Sequence, residues 1–143
     1  MEPQTFANHV RRHPPFHFFI VPVMLINVIW SIVNFVMAPG WYTGWSIVFS
    51  LTLVLLILFV RLYPIKAQDR IILLEERLRY QRLLSAELAQ KAGTLEPGQI
   101  IALRFAGDNE LEELVGEVLA GRLTKPVEIK SAIKNWRADT FRV

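Results

Sequence analysis

The chain has 143 residues, of which 52% are hydrophobic and 20% are charged, and its formal net charge is +3. The length is that of one domain, but the apolar fraction is too high for an ordinary soluble protein. Between residues 16 and 62, Arg61 is the only charged residue, whereas charged residues are frequent on both sides. The sequence contains no cysteine, which excludes disulfides, thiol nucleophiles and thiolate metal sites. This distribution indicates a membrane protein.

Two apolar runs, residues 16–38 and 41–63, each match the roughly 20 residues that a helix needs to cross a bilayer. The turn between them is short, uncharged and contains Pro39 and Gly40. Such a turn predicts two antiparallel neighbours, a transmembrane hairpin over residues 16–63. A secretory signal peptide is the alternative for the first run. Signal peptides, however, have apolar regions of only about 7 to 15 residues.

The basic residues beside the two runs predict their orientation. Arg11 and Arg12 precede the first run, Arg61 and Lys66 lie at the end of the second, and the turn has neither Lys nor Arg. The positive-inside rule then places both termini in the cytoplasm, which in a bacterium corresponds to the inner membrane. Residues 1–15 are expected to form an interfacial segment in which Arg11 and Arg12 contact anionic lipids or a partner.

Six polar residues interrupt the apolar runs at helical spacing. They are Asn27, Ser31 and Asn34 in the first run and Thr43, Ser46 and Ser50 in the second. Counted outward from the turn, Ser31 lies opposite Ser50 and Asn34 opposite Ser46, so we expect the two stripes to face each other. A polar pathway or cofactor pocket is the alternative. It is disfavoured because the runs carry ionisable side chains, such as His17 and Arg61, only at their ends, which also argues against a small transporter or channel.

The three histidines raise the question of metal or pigment binding. His9 and His13 are four residues apart, which suits chelation, but no third ligand accompanies them, and histidines beside anionic lipid explain them as well. His17 stands at the mouth of the first run, where an imidazole could ligate haem or chlorophyll. It is our candidate cofactor-binding residue. We expect no metal site and no cofactor of the chain's own, only lipids or pigments at a boundary with partner subunits.

Residues 64–143 are predicted to form a cytoplasmic helical region. After Pro64 a long helix is expected to continue in line with the second run, with Glu75 and Arg79 as an i, i+4 ion pair, and to reach Ala92 before Gly93 ends it. About three short helices come next, forming a small bundle. They begin near Pro97, near Asp108 as an N-cap, and near Thr124. The predicted fold class is an all-α membrane protein.

The last predicted helix carries an apolar stripe of Ile129, Ile133 and Trp136. Beside it runs a basic stripe of Lys130, Lys134 and Arg137. A helix-turn-helix DNA reader could present such a stripe, but residues 64–143 contain 13 basic and 12 acidic residues, so we expect no nucleic-acid partner. The stripe and Trp136 are predicted to contact anionic lipid or an acidic partner. A solvated face over a packed bundle is the alternative.

Several motifs of the second half form a specific pattern. They are Gln68-Asp69-Arg70, Leu74-Glu75-Glu76-Arg77-Leu78-Arg79, Ile101-Ala102-Leu103-Arg104-Phe105-Ala106 and Ile133-Lys134-Asn135-Trp136-Arg137-Ala138-Asp139. With these motifs the chain resembles an uncharacterised bacterial family of two-span membrane proteins, a domain of unknown function. The resemblance covers nearly the whole chain and implies no activity. Its charged motifs are typical of a salt-bridged helix surface or a docking patch.

The sequence contains no nucleophile elbow, phosphate-binding glycine loop or paired carboxylates in an apolar run, so we expect no enzyme. The function predicted first is a non-catalytic accessory subunit of a larger membrane complex, a respiratory or photosynthetic electron-transfer assembly. In it the hairpin packs against other membrane subunits. The alternative is a self-standing membrane adaptor or homo-oligomer that recruits a cytosolic partner.

Overall fold

The computed structural model describes residues 5–6 and 13–139, and all regular elements in them are helical, as predicted. The predicted interfacial segment, including His9, Arg11 and Arg12, lies largely outside these residues. A π-helical segment, Pro15–Ile20, leads directly into the first α-helix. The α-helices are α1 (Val21–Met37), α2 (Trp41–Leu83), α3 (Ala86–Ala92), α4 (Pro97–Leu103), α5 (Leu111–Leu119) and α6 (Pro126–Ala132).

Backbone contacts divide the chain into two units. Among the described residues, the apolar unit comprises residues 13–64, and the C-terminal unit comprises residues 65–139 together with residues 5–6. Two helices are long and apolar enough to cross a membrane, Phe16–Met37 and Trp41–Leu83, which agrees with the two predicted spans.

Burial in the apolar unit is reversed relative to a soluble protein. Trp30 and Met37 are 67% and 80% exposed, whereas Ser31 and Ser50 are only 5% and 3% exposed. Apolar side chains therefore form most of the outer surface, and the hydroxyl groups of Ser31 and Ser50 point inward. This arrangement suits a surrounding of hydrocarbon rather than water.

The long helix is continuous with the second run, as predicted, but it ends earlier than predicted. α2 runs without interruption from Trp41 to Leu83, with Pro64 inside it. The predicted continuation to Ala92 is wrong, because the backbone of Ser85 is extended, with ψ of 152°. The Ser85 side chain accepts a hydrogen bond from the Leu88 amide and caps the separate helix α3. Four short helices, not about three, therefore follow α2 in the described residues.

The core of the C-terminal unit is built from one face of each helix. In α5 the buried residues are Leu111, Leu114, Val115 and Val118, at the spacing of an amphipathic helix. Helix α4 packs against α6 and against α5. The largest fully buried side chains are Tyr80, Ile100, Leu103, Phe105, Leu111, Val115 and Ile129.

The last helix ends earlier than predicted. Helix α6 stops at Ala132, and Ile133 is already extended, with ψ of 123°. The Glu110 carboxylate accepts hydrogen bonds from the Lys134 and Asn135 amides, so it captures the donors that a longer helix would use. The predicted helical stripe of Lys130, Lys134 and Arg137 is therefore wrong. Trp136 instead forms an antiparallel bridge with Ala106.

Gly107 lies where two chain segments approach closely. A Cβ atom at this position would lie 2.7 Å from the Asn109 side-chain oxygen and 3.0 Å from the Asn135 carbonyl oxygen. Asn135 cannot easily move away, because the Arg137 amide beyond it bonds to the Phe105 carbonyl at 2.8 Å. The absence of a side chain at Gly107 thus permits this approach.

We expect Gly107→Ala and Gly116→Ala to shift stability in opposite directions. Gly107→Ala should cost about 1 to 3 kcal/mol through overpacking. Gly116 lies inside α5, where a Cβ atom would extend into open space, so alanine there should add about 0.5 to 1 kcal/mol through helix propensity. Chemical denaturation of the full chain in detergent micelles measures both. Equal effects of the two substitutions would contradict the close approach at Gly107.

Candidate functional site

Arg79 of α2 is the centre of a buried polar network in the C-terminal unit. Its guanidinium group donates to the Glu76 carboxylate at 3.1 Å, to the Asp108 carboxylate at 2.9 Å and to the Ala106 carbonyl at 2.7 Å. Arg79 and Glu76 are 4% and 3% exposed. The planar group therefore joins α2 to the loop between α4 and α5, with donors that match several acceptors at once.

Two predictions about these residues are wrong. Arg79 bonds to Glu76 one turn back rather than to Glu75, because Glu76 and Arg79 share the buried face of α2. Asp108 was expected to cap α5, but it binds Arg79, and the capping position is Glu110. In both cases the buried guanidinium group of Arg79 takes its partner at the expense of a local interaction, an i, i+4 ion pair in the first case and a helix cap in the second.

Glu76 also forms an ion pair with a second arginine. Arg137 donates to the other Glu76 oxygen at 3.1 Å, so this carboxylate bridges two cations from distant parts of the sequence. Glu76 lies outside the apolar run of residues 41–63. Burial raises its pKa, while the charges of Arg79 and Arg137 act in the opposite direction. In contrast, the hydrogen bond from Arg79 lowers the pKa of the exposed Asp108.

The segment after α6 is held by a second carboxylate and by aromatic contacts. Glu110, 9% exposed, accepts hydrogen bonds from the Gly107, Lys134 and Asn135 amides. The rings of Phe105 and Trp136 lie 4.9 Å apart, and the Lys130 ammonium group lies 5.6 Å from the Phe105 ring centre. Lys130 and Trp136 thus belong to the packing of the unit.

A groove of about 510 Å³ lies beside this network. Its lining includes four arginines, three carboxylates and the apolar side chains of Ile72 and Leu78. The arginines are Arg79, Arg82, Arg104 and Arg137. Arg104 pairs with Asp139 at 3.2 Å, and Arg79 and Arg137 pair with Glu76. Arg82 is exposed and forms no ion pair with the described residues.

The polar residues of the apolar unit are brought together in part. Ser31 and Ser50 share a hydrogen bond of 2.8 Å, and Ser50 also donates to the Asn27 side chain. Asn34 and Ser46 are not joined, since Ser46 donates to the Thr43 carbonyl at 2.7 Å. Thr43 itself donates to the Ala38 and Gly40 carbonyls of the turn.

His17 is exposed, and its Nδ1 lies 3.0 Å from the His13 carbonyl. This contact fixes a donor at Nδ1 and leaves Nε2 as the nitrogen that could coordinate a metal. Among residues 13–139, no three His, Asp or Glu side chains come together as a metal site. A cofactor at His17 stays a prediction.

Sequence reasoning missed Glu110 and the bridging role of Glu76. Nothing in the local sequence marks Glu110, which follows two other polar residues in a loop and precedes two more glutamates. Glu76 carried a usable signal. It lies on the same helix face as Ile72, Arg79 and Tyr80, because these residues are spaced three or four positions apart. If that face is buried, the Glu76 carboxylate is buried with it.

We expect Arg79→Met to destabilise the C-terminal unit by about 3 to 5 kcal/mol, the usual cost of removing one partner from a buried ion pair. Lys91→Met is the matched control, because Lys91 pairs with Glu87 on the exposed surface and its loss should change nothing measurable. Hydrogen exchange of the α4 and α5 amides in the intact chain measures both variants. Unchanged protection in Arg79→Met would show that the network does not hold these helices.

Comparison with known proteins agrees with the motifs noted in the sequence. The model of a family of unknown function, DUF6526, matches residues 1–143. No curated protein and no solved structure matches the chain. The resemblance to an uncharacterised family is thereby confirmed, and the match covers both units described above. The chain belongs to DUF6526, a family of unknown function.

Proposed function

We propose that the chain is a non-catalytic accessory subunit of a larger bacterial membrane complex. In this proposal α1 and the first part of α2 form a hairpin that packs against other membrane subunits. The C-terminal unit lies in the cytoplasm as a small bundle and docks on one of those subunits through the groove. A respiratory or photosynthetic electron-transfer assembly is the expected complex, with His17 at a pigment or haem boundary.

The observation that carries the proposal is the reversed burial of the apolar unit. Large apolar side chains such as Ile26 and Trp30 are 65% and 67% exposed, while the paired hydroxyls of Ser31 and Ser50 are buried. Residues of α1 and of the π-helical segment before it approach α2 in reverse order along the chain. Phe35 lies near Gly44, Ser31 bonds to Ser50, and Phe16 lies beneath Arg61. This order supports an antiparallel hairpin whose outer surface needs lipid or other spans.

The composition of the groove supports a protein as its occupant. Four arginines and three carboxylates nearly balance, which suits a protein surface better than a strongly anionic ligand. The exposed Leu78 provides an apolar contact, and Arg82 provides a charge that an acidic residue of the partner can bind. The network around Arg79 uses its charged groups in internal ion pairs, so we assign it a structural role.

We expect site-directed labelling to place both termini in the cytoplasm. Because the sequence contains no cysteine, single cysteines report directly on their own position. Gly40→Cys lies in the turn and should react with a membrane-impermeant maleimide added to intact cells. Gln90→Cys, exposed on α3, should react only after lysis. Labelling of Gln90→Cys in intact cells would contradict the proposed orientation.

We further expect the tagged chain to recover membrane subunits in stoichiometric amounts from native membranes in gentle detergent. Arg82→Glu should reduce this recovery, because it reverses the charge at the groove. Lys91→Glu, an equal charge change on exposed α3, should not. Mass spectrometry and an absorption spectrum of the eluate identify the subunits and any haem or chlorophyll. Recovery of the chain alone, or with one soluble protein, would favour the membrane adaptor instead.

A further inference from the structure

One face of α2 outside the apolar run is apolar and exposed. Ile71, Leu74 and Leu78 are 57%, 60% and 58% exposed, although each could have been replaced by a polar residue without loss to the core. The opposite face of the helix is buried and contains Ile72, Glu76, Arg79 and Tyr80. We call Ile71, Leu74 and Leu78 the exposed stripe. Such a stripe is typical of a surface that another helix covers.

The spacing of the stripe is that of a coiled coil. Its residues are separated by three and then four positions, and Ala67, also exposed, extends the pattern by four positions towards the apolar run. Ile71 and Leu78 therefore occupy a positions and Leu74 a d position of a heptad. A β-branched residue and leucines at these positions are compatible with a two-stranded parallel pairing.

The charges beside the stripe complement those of a second identical helix. In this register Arg70 is a g position and Glu75 is the e position that follows it, so in a parallel pair each Arg70 meets Glu75 of the other copy. Neither residue has an ion pair with the described part of its own chain. One heptad later Arg77 meets Arg82 of the other copy, a like-charged pair. Together with polar Gln81 at the next d position, this pair ends the seam after Leu78.

We propose that two copies of the chain associate in parallel through the exposed stripe of α2. The parallel direction rests on the proposed function, because two copies inserted in one membrane with the same orientation present α2 in the same direction. Confinement in the bilayer also raises the local concentration of the second copy, so a seam of three apolar positions suffices. Leu78 also lines the groove, so in the dimer the second copy covers this side chain, and docking of each copy on the complex rests on Arg82.

Disulfide crosslinking tests the pairing in membranes. Leu74→Cys should form disulfide-linked dimers on mild oxidation, because identical d positions of a parallel pair lie within reach of a disulfide. Lys66→Cys is the control on the same helix, since it is exposed but occupies the outward c position. Leu74 is exposed, so its replacement leaves the core intact. Equal crosslinking of both variants, or none of Leu74→Cys, would overturn the proposal.

Charge swaps in the Leu74→Cys background test the register. Arg70→Glu or Glu75→Arg alone should lower crosslinking several-fold, because each makes the chain repel its own copies. Co-expression of the two swapped chains should restore it as mixed dimers, since their g and e charges are again opposite. Arg82→Glu should raise crosslinking, because it turns the pair with Arg77 into an attractive one. A swap series without these differences would overturn the register.

The outcomes separate this inference from the proposed function. Leu74→Cys could link only to a different protein while the labelling of Gly40→Cys and Gln90→Cys is as expected. The proposed pairing of two copies is then wrong, and the proposed accessory role is not contradicted. If Gln90→Cys is labelled from outside the cell, the proposed orientation is wrong. Stronger crosslinking of Arg82→Glu would support the pairing of two copies. Reduced recovery of other subunits with the same substitution would support docking through the groove.

Discussion

The hydrogen bonds of the buried Arg79 guanidinium group, within α2 and to the loop after α4, organise the C-terminal unit. Its donors reach along α2 to Glu76 and across to Asp108 and the Ala106 carbonyl. Burying a charge of this kind is tolerable only when its partners are fixed, so the loop that carries Ala106 must lie against α2. Once that loop is placed, Phe105 and Gly107 are placed with it, and the segment around Trp136 can bridge to Ala106.

Glu110 completes this arrangement from the other side. Its carboxylate binds the amides of Lys134 and Asn135, which ends α6 and turns the chain back along the loop. Arg137 then reaches Glu76, so a residue near the end of the described chain contacts the same carboxylate as Arg79. Two buried carboxylates, Glu76 and Glu110, thus fix the path of the last segment. Both are held by donors from several elements, which is the condition for a stable buried charge.

The elements that were predictable are those that one physical effect dominates. Residues 16–38 and 41–63 are apolar enough that a membrane helix is the simplest interpretation of each. The contact between Ser31 and Ser50 was predictable from their similar distances, counted in residues, from the turn between the two runs. The break at Ser85, the end of α6 and the partner of Asp108 were not predictable, because each depends on a group distant in sequence or on a choice between cap and helix. Local preferences at these positions are worth about 1 kcal/mol, and a buried ion pair outweighs them.

The distribution of residue types around α2 links the structural network to the proposed interactions. Beyond residue 63 the buried face of this helix contains the charged pair Glu76 and Arg79, while Leu74 and Leu78 are exposed. A helix that evolved only to pack on its own unit would carry the opposite arrangement. Burying the charges fixes the rotation of α2 about its axis, because turning the helix would expose Tyr80 and leave both charges without partners. The same ion pairs that hold the core together therefore keep the exposed stripe on the outside of α2. The stripe stays available to another helix.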